Sequence, residues 1–566
     1  MLMHVIDWNE VMESQHKTCD ARAGWKVAML IALLLMSKYL FIASRTTLWD
    51  RDEPQFARAA VEMVESGNYL FPTFNGQMWP GKPILLYWLM SVPIRLIGPT
   101  EFACRFWAAA GTALTCLLTF FIGQHLLGTK AGLWAMVILG LTLMMLGVGT
   151  VATTDTVLLP FMVGAMALFV HTISSGAHIS HVILLGIALG AGMLAKGPIG
   201  VLPIPVIVTT LWLNRKVRPG LVRSLWQLGA ALTIGVLIFL AWAIPANSAT
   251  KGEFLRIFIG RDVLTRAIKP MEHHGGNFLL YLPYYLPVII VGFFPWTLHL
   301  PGAFSAVVGG RLGGQYCRAM VIGWVVPIFT IMTLAITKLP HYILFIWPAL
   351  ALSVAGTIVA ARQNRLSARD RIWLRRGIWF FGPLAVAMAL GLMIGPWFLP
   401  IPALRWSCLA SGIVLSAMTI IAICQQRADR PEASAVALVV GMLVFEIPFV
   451  FGVLPAFEQV KISPAIAQVV KAKTATDTPV ATYKYGEPSL NFYIGRQIEP
   501  LRGEEAVVSW TQQAKPGVLI IPKELLASIQ QSRGTLPLEQ IASKKGFNYS
   551  KGKILEVLAL VRKMGQ

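Results

Sequence analysis

Long apolar stretches alternate with short polar ones along most of this chain. A window of roughly 19 residues finds apolar runs at about 25–43, 103–123, 131–151, 156–174, 180–195, 199–213, 225–246, 280–300, 319–337, 342–361, 378–398, 404–424 and 435–456. Apart from the short pair within 180–213, each is the length of a membrane crossing, and the pattern predicts about thirteen transmembrane helices. From about Glu458 hydropathy falls and Lys, Glu, Gln and Ser become common. There PVATYKYG and GVLIIPK read as short strands, and PAIAQVVKA and KELLASIQQ as helices. The expected fold class is a polytopic α-helical membrane protein. Residues 1–457 form the membrane region, and 458–566 a small soluble α/β domain of about 110 residues, long enough for its own core.

The loop after the first span, residues 44–102, has a pattern of its own. EPQFARAAVEMVES opens with Pro54 near a helix start and repeats apolar residues at helical spacing. KPILLYWLMSVPIRLI is apolar but broken by Pro93. Both are expected to be interfacial helices lying along the membrane surface.

Composition agrees with the pattern: 56% of residues are hydrophobic, 18 are Trp, and mean hydropathy is +0.64. The net charge of +21 would ordinarily suggest a nucleic-acid partner. Here the arginines instead mark alternate loops: Arg215, Arg218 and Arg223, then Arg311 and Arg318, then Arg362 to Arg376, then Arg427 and Arg430. By the positive-inside rule these loops are cytoplasmic, which puts the N-terminus inside and the tail domain outside. Residues 1–24 carry Asp7, Glu10, Glu13 and Asp20 and lack a signal-peptide start, so the first span is expected to be retained. The six cysteines, Cys19, Cys104, Cys116, Cys317, Cys408 and Cys424, avoid the tail and predict neither a disulfide framework nor a cysteine metal cluster.

Only 13% of residues are charged, yet the first external loop collects Arg51, Asp52, Glu53, Arg58, Glu62 and Lys82. Charge beside a span is expensive to desolvate and marks a candidate site. On the same face stand Asp155 in VATTDTVLLP, Lys196 in MLAKGPIG, a loop with Arg266, Glu272, His273 and His274, and Lys338, His341 and Tyr342 in TKLPHY. Singly, each has a plain structural reading. Lys196 and Lys338 fit snorkelling lysines, Asp155 a helix cap, Asp52 and Glu53 a cap for the Pro54 helix, Tyr342 an interfacial aromatic, and His273–His274 an ordinary loop. Together on one face they predict a site. Glu272, His273 and His274 are also metal-ligand types, although no HExxH spacing is present, so the metal reading is a divalent ion shared with Asp52 or Glu53.

The strings DRDEPQFARAA, GKPILLYW, TDTVLLP, AKGPIG and KLPHYILFIWPALAL, in this order, resemble the GT-C class of lipid-linked glycosyltransferases. They are most similar to the bacterial aminoarabinose transferases of lipid A, relatives of the protein O-mannosyltransferases. The resemblance covers about Trp49 to Leu350. Family members show an Arg followed by a His and an aromatic-rich stretch, which Arg266 and HHGGNFLLYLPYY match loosely, with Gly275 and Gly276 departing from it. It implies transfer of 4-amino-4-deoxy-L-arabinose from undecaprenyl phosphate to a lipid A phosphate at the periplasmic face of the inner membrane, an activity tied to polymyxin resistance.

On this reading Asp52, Glu53 and Asp155 are catalytic. Lys82, Arg266, Lys196 and Lys338 bind the donor phosphate, and Arg58, Tyr87, His341 and Tyr342 contact substrate. The partners are the lipid-linked donor, lipid A and membrane lipids, without nucleic acid; the protein is expected to be a monomer, and no cofactor is required. A transferase of another sugar, one acting on proteins or glycans, and a lipid-linked-sugar flippase stay open. A flippase would place its charges at mid-membrane depth and show related halves.

Overall fold

The computed structural model describes residues 18–176, 178–214, 221–260 and 281–562. Arg266, Glu272, His273 and His274 lie outside the described residues. Among the described residues ten helices are long and apolar enough to cross a membrane, from Arg22–Ala43 to Pro431–Glu458. The other three predicted spans are also helical but interrupted. Thr129–Gly140 and Leu143–Gly149 form a pair bent by 63°. Pro203–Leu213 is short, about 16 Å against a hydrocarbon core of about 30 Å, and follows directly on the 3₁₀ turn Gly197–Val201 that ends the preceding span. The helix Leu282–Gly292 stops at Phe293–Pro295 and resumes as Leu300–Val308. Hydropathy registers the apolar length of such segments and is blind to their breaks.

A break inside a membrane leaves backbone groups that water cannot satisfy. Two of the breaks meet: the Leu143 N–H at the bend donates to the Phe294 carbonyl of the other interrupted span, 2.9 Å away. Thr142 closes the same bend, donating to the Leu139 carbonyl and accepting from the Met145 N–H. Elsewhere small residues let helices touch. A Cβ on Gly123 would stand 2.8 Å from the Cα of Gly132, so the helices Glu101–Leu127 and Thr129–Gly140 are in backbone contact there. Inside the bundle Lys38 pairs with Glu446 at 2.8 Å, joining the first span to the last.

The first external loop folds as two helices around a minute hairpin. The helix Asp52–Ser66 ends at Gly67 in the left-handed region, φ 69°. Strands β1 (Thr73–Phe74) and β2 (Gln77–Met78) are joined by Asn75 and Gly76, φ 54° and 73°, a pairing that suits a tight turn. Buried Glu62 holds the hairpin, accepting from Asn75 N–H, Gly76 N–H and the Thr73 hydroxyl. The second helix, Leu85–Ile97, continues past Pro93, contrary to the break expected there. Proline removes one helical hydrogen bond, and burial of Leu86, Tyr87, Met90 and Ile94 on one face outweighs that loss.

The C-terminal region is a five-stranded mixed sheet in the order β4-β3-β5-β7-β6, with β3 Val480–Thr482, β4 Ile498–Pro500, β5 Val518–Pro522, β6 Leu538–Asn548 and β7 Lys553–Arg562. Val518 and Ile520 pack on one face with Ile466 and Val470, and Leu519 and Ile521 on the other with Trp510. The expected strands and helices are present. The long β6–β7 hairpin was not foreseen, because edge strand β6 carries Lys544 and Lys545 and reads as polar chain. Asn75 ties the first loop to this sheet, exchanging two 2.8 Å hydrogen bonds with the Ile498 backbone.

Candidate active site

Asp155 is the second residue of the helix Thr154–Ser175, which begins at the face of the bundle bearing the first external loop. Thr153 occupies the cap position, so the Asp155 carboxylate is available for other partners. It takes Lys196, the last residue of the helix Ile179–Lys196, at 2.5 Å, and His341 Nε2 at 3.7 Å. Lys82 of the first loop acts electrostatically on both Asp155 and His341, and Asp52 acts on His341. The Lys196 ammonium also stands 4.8 Å from the Tyr342 ring, and His341 meets Tyr342 edge-on at 5.0 Å. Asp52, Lys82, Asp155, Lys196, His341 and Tyr342 are therefore one constellation, drawn from distant parts of the chain.

The carboxylate next to Asp52 is placed differently. Glu53 is 1% exposed and faces the fully buried Arg105 in a two-pronged pair, 2.6 and 2.7 Å. It also accepts from the N–H groups of Trp49 and Ala152, both at 2.8 Å. Arg105 directs its other donors to the carbonyls of Ala43, Thr46 and Thr47. With every donor used and the carboxylate saturated, this is the satisfied form of a buried ion pair. It ties the end of the first span, the start of the Asp52 helix and the approach to Asp155. Sequence reading passed over Arg105, although the signal was there: a lone arginine inside the apolar run EFACRFWAAAG.

Three other expected site residues lie apart from the constellation. Arg58 is buried and bound to Glu62 at 3.0 Å and Glu65 at 3.1 Å within its own helix. Tyr87 is fully buried with its ring against Phe56. Lys338 donates to the Thr333 and Ala335 carbonyls at 2.5 and 2.6 Å, finishing the helix Gly314–Leu334. Burial holds its ammonium below the usual lysine range. It supports the turn that presents His341 and Tyr342. No group of three His, Cys, Asp or Glu suited to a metal occurs among the described residues.

The chain just before Asp52 is gripped by the C-terminal region. Leu48 N–H donates to the Tyr493 hydroxyl and Asp50 N–H to the Tyr549 hydroxyl, each at 2.7 Å. Lys461 donates to the Thr47 carbonyl and lies 3.7 Å from the centre of the Trp49 ring. Asp50 accepts from the Ser489 N–H and hydroxyl, while burial pushes its carboxyl up to about 6.

Comparison with known proteins follows the same lines. Residues 81–244 match the family described as dolichyl-phosphate-mannose-protein mannosyltransferase. An undecaprenyl phosphate-alpha-4-amino-4-deoxy-L-arabinose arabinosyl transferase from Edwardsiella ictaluri is 31% identical over 388 residues, 66% of this chain and 66% of that protein's length, just under two thirds. Its counterpart from Pectobacterium atrosepticum is 30% identical over 403 residues, 69% of this chain and 68% of the relative. The crystal structure of ArnT from Cupriavidus metallidurans bound to undecaprenyl phosphate has the same fold, with TM-score 0.74 and 19% identity over 95% of this chain and 98% of that one. By its identity to the Pectobacterium protein, and with the fold of the Cupriavidus structure, the chain belongs to the undecaprenyl phosphate-alpha-4-amino-4-deoxy-L-arabinose arabinosyl transferases, a GT-C-type membrane family related to the mannosyltransferases.

Proposed function

We propose that this chain transfers 4-amino-4-deoxy-L-arabinose from undecaprenyl phosphate to a phosphate of lipid A, working as a monomer at the periplasmic face of the inner membrane. The observation that carries the reading is the union of Asp155, Lys196 and His341 with Lys82 and Asp52 at one face of the bundle. In the proposed reaction an acceptor phosphate oxygen attacks the anomeric carbon. The bond from that carbon to the donor's phosphate oxygen breaks, and undecaprenyl phosphate leaves with the electron pair. The acceptor's second pKa is about 6, so its oxygen is already largely ionised at neutral pH and no general base is needed. Developing charge on the leaving phosphate calls for cations, the role of Lys82 and Lys196, joined by Arg266 from outside the described residues.

Asp155 fixes the Lys196 ammonium, and the His341–Tyr342 turn lines the same space. Asp52, exposed at its helix start, stabilises positive charge at the anomeric carbon or orients the acceptor. Glu53 and Arg105 are positioning residues that hold Asp52 and Asp155 in register. The division into a membrane region, 1–457, and a periplasmic domain, 458–566, belongs to this proposal, with the second bracing the loop that carries Asp52.

The test uses purified protein in detergent with undecaprenyl-phosphate-linked aminoarabinose and lipid A. Mass spectrometry should find lipid A bearing the added sugar without any ion gradient. Lipid A left unmodified while another sugar donor or a protein acceptor is consumed would overturn the assignment of substrates.

A further inference from the structure

Far from the active site, at the end of the bundle where the arginine loops gather, the interrupted span leaves a cavity of about 650 Å³. Its walls are apolar: Ile290 above the break, Phe304 on the helix Leu300–Val308, Trp373 on Ala368–Arg376 and Phe380 on Ile378–Ile394. Arg311 lines it from the turn after Leu300–Val308 and Arg369 from the first turn of Ala368–Arg376, whereas Ile290 and Phe380 lie on the membrane helices. Phe304 is 73% exposed and Phe380 49%, so the slot opens sideways to whatever surrounds the bundle. In a membrane that is the acyl region.

The cationic end is built and only partly neutralised. Buried Asp370 binds Arg311 and is itself held by the hydroxyls of Ser305 and Ser367. That fixes the Arg311 guanidinium at the rim. Of the neighbouring arginines, Arg362 pairs with Glu432 and Arg371 with Asp429, each at 2.6 Å, while Arg376 lies over the Trp373 ring at 4.9 Å. Among the described residues Arg369 is exposed and has no carboxylate within ion-pair reach. A largely apolar slot whose water-side end carries the Arg311–Asp370 pair and the unpaired charge of Arg369 matches an amphiphile with an anionic head and an apolar tail.

We propose that this cavity binds an anionic glycerophospholipid of the leaflet on the arginine-rich side, its phosphate on Arg369 and the rim of Arg311 and one acyl chain between Phe304 and Phe380. The site is independent of the sugar-transfer reading. The full-length protein in nanodiscs, given phosphatidylglycerol or phosphatidylcholine with the same photoreactive acyl chain, tests it by peptide mapping. Phosphatidylglycerol should label segments 286–311 and 367–382 about fivefold more than phosphatidylcholine, the weight of one arginine beside an anionic headgroup. Arg369→Ala should erase the preference, Arg369→Lys should retain most of it, and Val308→Trp, which narrows the slot, should lower labelling by both lipids. Equal labelling by the two lipids, or a preference unchanged in Arg369→Ala, would overturn the proposal and leave an ordinary lipid-facing surface.

Discussion

The ion pairs Glu53–Arg105 and Asp155–Lys196 differ in one respect that separates framework from chemistry. Glu53–Arg105 is closed: both side chains are essentially unexposed and every guanidinium donor has a protein acceptor. Asp155–Lys196 is open. Lys196 makes one hydrogen bond to Asp155 among the described residues, its side chain is 11% exposed, and Lys82 and His341 crowd the same carboxylate. A closed pair resists change and sets geometry, while an open pair has donors left for a ligand. The difference could not be read from residue type, since both are a carboxylate with a cation.

Substitutions can sharpen that contrast. The largest effect on transfer is expected from Lys82→Ala and Lys196→Ala, each losing on the order of 10²–10³-fold in turnover; thermal unfolding should change little in Lys82→Ala, whereas Lys196→Ala leaves buried Asp155 without its cation and should also melt lower. Near-normal turnover in a folded Lys82→Ala protein would remove it from the phosphate site. Arg105→Met should act on the fold instead: a lone buried Glu53 costs about 3–5 kcal/mol, visible as poor yield and a lowered melting temperature. The paired change Glu53→Gln with Arg105→Met should recover part of that stability. Asp52→Asn is expected to slow transfer while leaving undecaprenyl phosphate binding intact, as read by a binding titration. Loss of binding instead would move Asp52 to recognition.

The smallest expected effect concerns pH. Asp50 has its carboxyl raised to about 6 by burial, from an ordinary value of 3.8. Burial therefore favours the protonated acid over the opposing Ser489 hydrogen bonds, so the stability present below about pH 3.8 is lost as pH rises to about 6. The melting temperature of the native chain should fall slightly as pH rises from about 4 to about 6. Asp50→Asn should flatten that dependence.

Much of this arrangement was legible in the chain. Apolar length located each span, and alternate arginine loops separated the two faces, which put Asp52, Lys82, Asp155, Lys196 and His341 on a common side. What the sequence hid was partnership. Arg58 and Glu53 look as reactive as Asp52 in the string DRDEPQFAR, yet helical spacing gives Arg58 to Glu62, and a contact across 52 positions gives Glu53 to Arg105. Lys338 looks like Lys196, but carbonyls at the end of the preceding helix, Gly314–Leu334, take its ammonium. The interrupted spans were hidden for a related reason, because Leu143 and Phe294 satisfy each other across a distance that no local window covers.

The most direct measurement compares Asp155→Asn with Glu53→Gln in purified, full-length protein, scoring single-turnover transfer and melting temperature for each. The open-pair account predicts that Asp155→Asn loses transfer by on the order of 10²-fold or more with its melting temperature nearly intact, whereas Glu53→Gln melts well below the native chain. A stable Glu53→Gln protein that is catalytically dead, beside an Asp155→Asn protein that still transfers sugar, would contradict it.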